Sequence, residues 1–198
     1  MDSKAKVNNV QEERLHDGFF KVDKVVFDQT KHSGEKLEGV IREVFKRDPV
    51  VFLSLFDPNT KMHLVVEQVR IGAIVSDVTD NPLVLEPIAG IIDKGETPLE
   101  AAVREAKEET GVNVDIDSIK IIQEGFTSPG GSSEYGYFAT GLFDSTEYTP
   151  QDGGVEGEQE DIRSHLISHE DAMNMVFSGE MNSMSAAFGI FWHNINSF

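Results

Sequence analysis

One stretch narrows the choice of folds more than any other: residues 90–112, GIIDKGETPLEAAVREAKEETGV. It contains a helix with both ends written in. Thr97 is a good N-cap, Pro98 sits at N1, Glu100 at N3 completes a capping box, and Gly111 supplies the C-terminal stop. The spacing predicts a helix over 98–110. At about 100° per residue, Leu99, Ala102, Val103, Ala106 and the stem of Thr110 gather on a core-facing side, and Glu105, Glu108 and Glu109 on the opposite one. Three carboxylates on one face repel one another unless a cation neutralises them. Hard oxygen ligands suit Mg²⁺ or Mn²⁺. A solvated acidic face is the plain alternative for the clustering taken alone.

The rest of the chain is strand-rich. Alternating β-branched and aromatic runs mark strands at 18–27 and 39–47, joined by a polar connection, and a sheet of that size builds little core by itself, so it needs a partner such as a second subunit. Residues 1–17 are polar and expected to be ragged. Further strands are expected at 50–56 and 62–70, a hairpin around the DPNTK turn, and at 82–88, 118–126, 135–143 and 161–168. Two helices close the chain, over 169–178 and 183–196; Met184, Phe188, Phe191 and Trp192 share a face of the second and are assigned to the core. Strands interspersed with helices predict an α+β class with a mixed-sheet layered domain over 48–198, preceded by an N-terminal β region over 1–47.

Composition excludes several functions. The 198 residues carry 17 Lys and Arg against 35 Asp and Glu, a formal charge of −18, which disfavours nucleic acid and anionic membranes as partners. An acidic protein that handles phosphates needs divalent cations as intermediaries. There is no cysteine, so disulfides, thiolate zinc sites and cysteine nucleophiles are out. The six histidines show no metal-ligand spacing and are assigned no chemistry. No apolar run spans a bilayer and the first residues have no secretory signal core, so a cytoplasmic location is expected.

Gly90, Glu96, Arg104, Glu105, Glu108, Glu109, Gly111 and Val112 stand at the spacing G-x5-E-x7-R-E-U-x-E-E-x-G-U, with U aliphatic and Ala106 small where a bulkier residue is common. This resembles the Nudix box. The resemblance implies an α/β/α sandwich with a mixed sheet and hydrolysis of a nucleoside diphosphate linked to another moiety. It implies Glu105, Glu109 and the Ala89 carbonyl as metal ligands, with Arg104 orienting the glutamates and Glu108 and Gly90 in support. Outside the box, GFFKVD (18–23), IREVFKR (41–47), EQVRIGA (67–73), TSPGGSSE (127–134) and EGEQEDIRSH (156–165) resemble the ADP-ribose pyrophosphatase subfamily. That likeness implies Arg70 on the substrate phosphates, Glu134 on the terminal ribose, and Phe19, Phe20, Arg42, Glu43 and Arg47 near the nucleotide, contributed across a homodimer. Ile91, Ser128, Pro129 and Gly130 join the substrate-binding set. Without the flanking motifs, Arg70 reads as an ordinary ion pair, one of the two phenylalanines as core, and SPGG as a tight turn that needs glycine torsions. In the long acidic connection 145–161 the likeness implies Glu158 as general base, with Glu156 the nearest competitor, and Glu160 as a further metal ligand; a solvated acidic loop is the plain alternative.

The activity the resemblance implies is therefore Mg²⁺-dependent hydrolysis of ADP-ribose to AMP and ribose 5-phosphate by a homodimer, with Mn²⁺ as the alternative ion. A pyrophosphatase for another nucleotide sugar such as GDP-mannose is the rival within enzymes. A catalytically silent module that binds ADP-ribose is the rival from another class.

Overall fold

A computed structural model describes residues 6–155, 157 and 159–196. The chain forms two compact units, one made of the residues up to Pro49 together with Gly125–Tyr135, the other of Val50–Glu124 and the chain from Gly136 onward.

The first unit is a three-stranded antiparallel sheet in the order β1 (Val7–Asp17), β2 (Lys21–Thr30), β3 (Lys36–Lys46). The expectation of a ragged N-terminus is corrected for residues 7–17, which form an eleven-residue strand with every residue exposed. Apolar alternation could not announce it, because the strand is held by its backbone ladder and by ion pairs across it. Arg14 pairs with the buried Asp23 opposite, Lys24 Nζ lies 2.9 Å from Glu13 Oε2, and Lys46 Nζ 3.4 Å from Glu12 Oε2.

The second unit is a sandwich around a mixed sheet. Its strands are β4 (Val50–Asp57), β5 (Met62–Val69), β6 (Leu83–Glu86), β7 (Ile88–Ile91), β8 (Lys120–Phe126), β9 (Tyr135–Leu142), the two-residue β10 (Asp152–Gly153) and β11 (Ile162–Ser168). The path runs β10-β11-β5-β4-β9-β8, with β6 on β5 and β7 on β4; the β4/β9 pair is parallel. Helices are the short α1 (Ile71–Ile74), α2 (Pro98–Thr110), α3 (His169–Ser178) and α4 (Met184–Ile195).

Pairing within the sheet is what opens a place for the site. β4 pairs with β5 only over 55–57 and with β7 over 50–53, while β5 pairs with β6 over 66–69. The run expected as one strand over 82–88 is therefore two strands. Pro87 breaks it, since proline cannot donate to a ladder. The two pieces fill the opening where β4 and β5 part.

Alternation along β4 assigns the faces. Val51, Leu53, Leu55, Leu64 and Val66 form one core with Ala101, Ala102 and Ala106 of α2. Phe52 stacks on Phe138, and Ser54 and Phe56 meet Gly189 and His193 of α4 on the opposite face. α4 comes so close that a Cβ at Gly189 would stand 2.7 Å from the Ser54 hydroxyl. Small residues carry that contact. Ala186, Gly189, Ile190 and His193 are the buried positions of α4, so the assignment of Met184 to the core is corrected: it is 86% exposed. Phe188, Phe191 and Trp192 are half-buried.

Candidate active site

Helix α2 spans 98–110 as its caps require. Glu100 N–H donates to Thr97 Oγ1 at 3.3 Å, Thr97 N–H donates to Glu100 Oε2 at 2.8 Å, and Gly111 adopts the left-handed conformation at φ 74°. β7 delivers Ala89, Gly90 and Ile91 alongside it. Gly90 is glycine for a steric reason: an added Cβ would lie 1.7 Å from Glu105 Oε1. The carboxylate of Glu105 thus fills the space a side chain at 90 would take.

Arg104 braces the cluster. Its Nε and Nη2 donate to the two Glu96 oxygens at 2.9 and 3.0 Å, Nη1 to Glu105 at 2.6 Å and Glu108 at 3.0 Å, and Nη2 also to the Ile91 carbonyl at 2.9 Å. Glu96 is itself set by a turn in which its Oε2 accepts the Asp93 N–H at 3.0 Å. The hydrogen bonds to Glu96, and then those to Glu105 and Glu108, hold the guanidinium in its charged form, and Arg104 in turn draws the Glu96 pKa down.

Glu109 departs from the helical-wheel expectation. It is only 3% exposed, one of five buried residues of α2, and its Oε2 accepts the Ala89 N–H at 3.3 Å. Burial, and then the charge of Glu105, pushes its pKa well above the usual carboxylate range; burial also raises Glu105, against the hydrogen bond from Arg104. Glu160 adds repulsion to both. Two desolvated carboxylates that repel each other across a glycine-made cradle suit a hard divalent cation, which would relieve both penalties. Among the described residues no three His, Asp or Glu side chains already converge on one point. Water and substrate oxygens would complete such a shell.

Arg70, the first residue before α1, donates from Nε to Glu86 Oε2 at 2.5 Å and contributes favourably to the charge of Glu109. Its side chain is 43% exposed. Nothing in the spacing of the sequence signalled Glu86 as its partner. Glu156 and Glu158 lie outside the described residues.

Ile91 lies on β7 beside Gly90, and the remaining expected substrate residues belong to the first unit. There Phe20, Arg47 and Glu134 come together: the Arg47 guanidinium stands 4.9 Å over the Phe20 ring and 3.2 Å from Glu134 Oε2. Phe45, which the sequence did not single out, packs 4.8 Å from Phe20. Thr127 Oγ1 donates to Glu134 Oε1 at 2.8 Å, and Ser133 Oγ accepts the Arg47 N–H at 2.8 Å. Phe19 is 88% exposed and Phe20 half-buried, so neither is closed into a core. Arg42 and Glu43 are exposed on β3 opposite Val25 and Lys24, and make no hydrogen bond or ion pair with this cluster. Ser128, Pro129 and Gly130 form an exposed turn closed by Ser132 N–H on the Ser128 carbonyl at 2.9 Å. Glycine torsions are not what that turn needs: neither Gly130 nor Gly131 has positive φ, and both face open space. Bare, approachable backbone is what these glycines provide.

The comparisons with known proteins agree with this geometry. A NUDIX domain model matches residues 46–186, well over half of the chain. The chain is 34% identical to the ADP-ribose pyrophosphatase of Escherichia coli (strain K12) over 192 residues, 96% of this chain and 88% of that one. It is 31% identical to the ADP-ribose pyrophosphatase of Haemophilus influenzae over 98% of this chain and 88% of that one. To the GDP-mannose pyrophosphatase of Yersinia enterocolitica it is 33% identical over 78% of each chain. Among solved structures, the crystal structure of an ADP compounds hydrolase superposes with a TM-score of 0.70 at 18% identity, covering 98% of this chain and 96% of that one, a likeness of fold. With the box helix, its arginine brace and the glycine cradle all in place, the chain belongs to the NUDIX domain family.

Proposed function

We propose that the protein hydrolyses ADP-ribose to AMP and ribose 5-phosphate with the help of divalent ions, Mg²⁺ or Mn²⁺. The observation that carries this reading is the seating of Glu105 against Gly90 under Arg104, with Glu109 buried beside it. The Ala89 carbonyl, Glu105, Glu109 and Glu160 would hold the cations. When bound, these neutralise pyrophosphate oxygens and lower the pKa of a water. The residues of the chain do the rest. Arg104 keeps Glu105 aimed and charged. Glu158, or Glu156 in its place, accepts the proton of the attacking water. One P–O bond forms from that water to the adenosyl phosphorus, the P–O bond to the bridging oxygen breaks, and the leaving ribose 5-phosphate carries the bridging oxygen away.

In this reading Arg70 forks onto the phosphates once Glu86 yields it, Arg47 and Phe20 face the nucleotide, and Glu134 receives the terminal ribose. The exposed Val10, Leu15 and Ile41 of the three-stranded sheet support a homodimer in which a second copy covers that sheet. No described helix is long and apolar enough to cross a membrane; a cytoplasmic address belongs to the same reading.

A substrate panel with Mg²⁺, scored for the nucleotide released, tests the proposal. AMP from ADP-ribose, at a kcat/KM at least about tenfold above GDP-mannose, a difference of roughly 1.4 kcal/mol, is expected. A preference for GDP-mannose would move the protein to the class of its Yersinia relative, and tight ADP-ribose binding without turnover would make it a binding module. In ¹⁸O-water the label is expected in AMP; label in ribose 5-phosphate overturns the assignment of the attacked phosphorus.

A further inference from the structure

An α-helix leaves its last carbonyls without intrahelical donors, and something outside the helix must satisfy them. At the end of α2 those donors come from the root of the acidic loop. Gly154 N–H donates to the Glu108 carbonyl at 3.1 Å, and the Gln151 side-chain amide donates to the Thr110 carbonyl at 2.5 Å. The Tyr148 hydroxyl lies 3.2 Å from that same carbonyl and 2.5 Å from Ser164 Oγ. Ser164 grips Gln151 in return: its Oγ accepts the Gln151 N–H at 2.9 Å and donates to the Gln151 carbonyl at 2.9 Å. Thr110 and Ser164 are both fully buried.

The next residues carry this grip onward. A Cβ at Gly153 would stand 2.0 Å from the Glu109 carbonyl oxygen, so the loop backbone lies directly on the helix end. Gly154 takes φ 98°, a conformation that favours glycine, and a Cβ there would approach Glu160 Cβ to 2.8 Å. Val155 N–H donates to Glu160 Oε2 at 3.2 Å. An unbroken series of contacts therefore links the last turn of α2 to the Glu160 carboxylate through 151–155.

We propose that Tyr148, Gln151 and Ser164 are positioning residues, a latch that ties the root of the acidic loop to the end of α2 and so sets Glu160 opposite Glu105 and Glu109. The physical need is plain. Glu160 repels both helix carboxylates, and two successive glycines give the loop freedom to swing away. The β10/β11 ladder and the ion pair of Asp152 with Arg163 hold the root of the loop to the sheet, and the neutral hydrogen bonds to the helix end hold it to α2 without adding charge to the site. The proposal rests on the hydrolase reading for its kinetic consequence, but not for its structural one.

The test uses the full chain with Tyr148→Phe, Gln151→Ala and the two combined. Mn²⁺ binding is followed by electron paramagnetic resonance without substrate, hydrogen exchange at the Gly154 amide by NMR, and kcat and KM with ADP-ribose. In the double variant, Mn²⁺ affinity is expected to fall about tenfold and kcat about ten- to a hundredfold, with KM for ADP-ribose within about twofold and exchange at Gly154 faster. A purely structural role would lower thermal stability while leaving Mn²⁺ affinity and kcat at their wild-type values, and that result overturns the latch. If the double variant does not fold, Tyr148→Phe alone, which keeps the ring in place, carries the same readouts, with an expected loss of about threefold in kcat. Should the wild-type chain split no nucleoside diphosphate, the hydrolase reading fails while Mn²⁺ binding and exchange still decide the latch.

Discussion

Helix α2 and strand β1 are similar in length and both crowded with charge, yet they hold their charges in opposite ways. Every residue of β1 is exposed, and apart from Arg14, which reaches the buried Asp23 of β2, its ion pairs to the neighbouring strands, Lys24 with Glu13 and Lys46 with Glu12, lie at the surface. α2 buries five residues, Glu109 among them, and a single guanidinium serves Glu96, Glu105 and Glu108. Water does much of the work of neutralisation around those two surface pairs, so either partner in them is replaceable. Around Glu105 and Glu109 burial limits the access of water, so a partner removed there leaves a charge that solvent answers poorly. The cation-binding reading follows from that imbalance.

The sharpest way to break the contrast is Glu105→Gln. Turnover is expected to fall at least about a hundredfold while the chain stays folded, because an uncharged amide of the same shape still fits against Gly90. Turnover at the wild-type level, measured with saturating Mg²⁺, would remove the metal assignment.

Arg104→Gln comes next. It strips the brace and leaves three glutamates to repel, so a loss of about ten- to a hundredfold in kcat is expected, with a raised Mg²⁺ requirement in a metal titration of the rate.

Acid provides a third probe, on the far face of the sheet. His63, His169 and His193 meet around Phe56, with His63 Nε2 2.9 Å from His169 Nδ1. Burial, and then the neighbouring rings, lowers His63 to about 3; burial, and then His169, lowers His193 to about 4. Both rings are neutral in the fold and take up protons on unfolding below their free value near 6.5. Stability from this cluster is therefore complete above that pH and declines as pH falls toward 4 and then 3. Melting curves from pH 7 to 4.5 are expected to show Tm falling with acid, and His63→Gln to flatten the decline; an unchanged slope in that variant would contradict the assignment.

The smallest effects compare the two elements directly. Thr97→Ala removes the N-cap of α2 and is expected to cost about 1 kcal/mol in denaturant unfolding. Lys24→Ala on the sheet should shift Tm by less than about 2 °C, and any shift should vanish in high salt. A larger loss from Lys24 than from Thr97 would reverse the contrast.

The sequence was most legible where the determinants are local. α2 starts and stops where Thr97, Pro98, Glu100 and Gly111 place it, and α3 spans the expected 169–178. Legibility failed where the determinant is a partner far along the chain. β1 has no apolar alternation because neither of its faces is buried, so only its ladder with β2 reveals it. Glu86 answers Arg70, Ser133 clamps Arg47, and residues 63, 169 and 193 meet from three separate elements. No spacing rule spans such distances. Met184 was misplaced because helical periodicity identifies a shared face but not how close a neighbouring strand comes to it.

What the sequence determined by itself is the chemistry on offer: a helix capped at both ends, an arginine among carboxylates at one-turn spacing, no thiol, and a surplus of negative charge. Capping and helical spacing are properties of a few adjacent residues, so they can be read without a fold. Tertiary structure alone decided which carboxylate is desolvated, which is braced, and what holds the acidic loop at its root. Those outcomes depend on burial and on hydrogen bonds between residues distant in sequence, and both exist only once the strands have parted and the helix has packed against them.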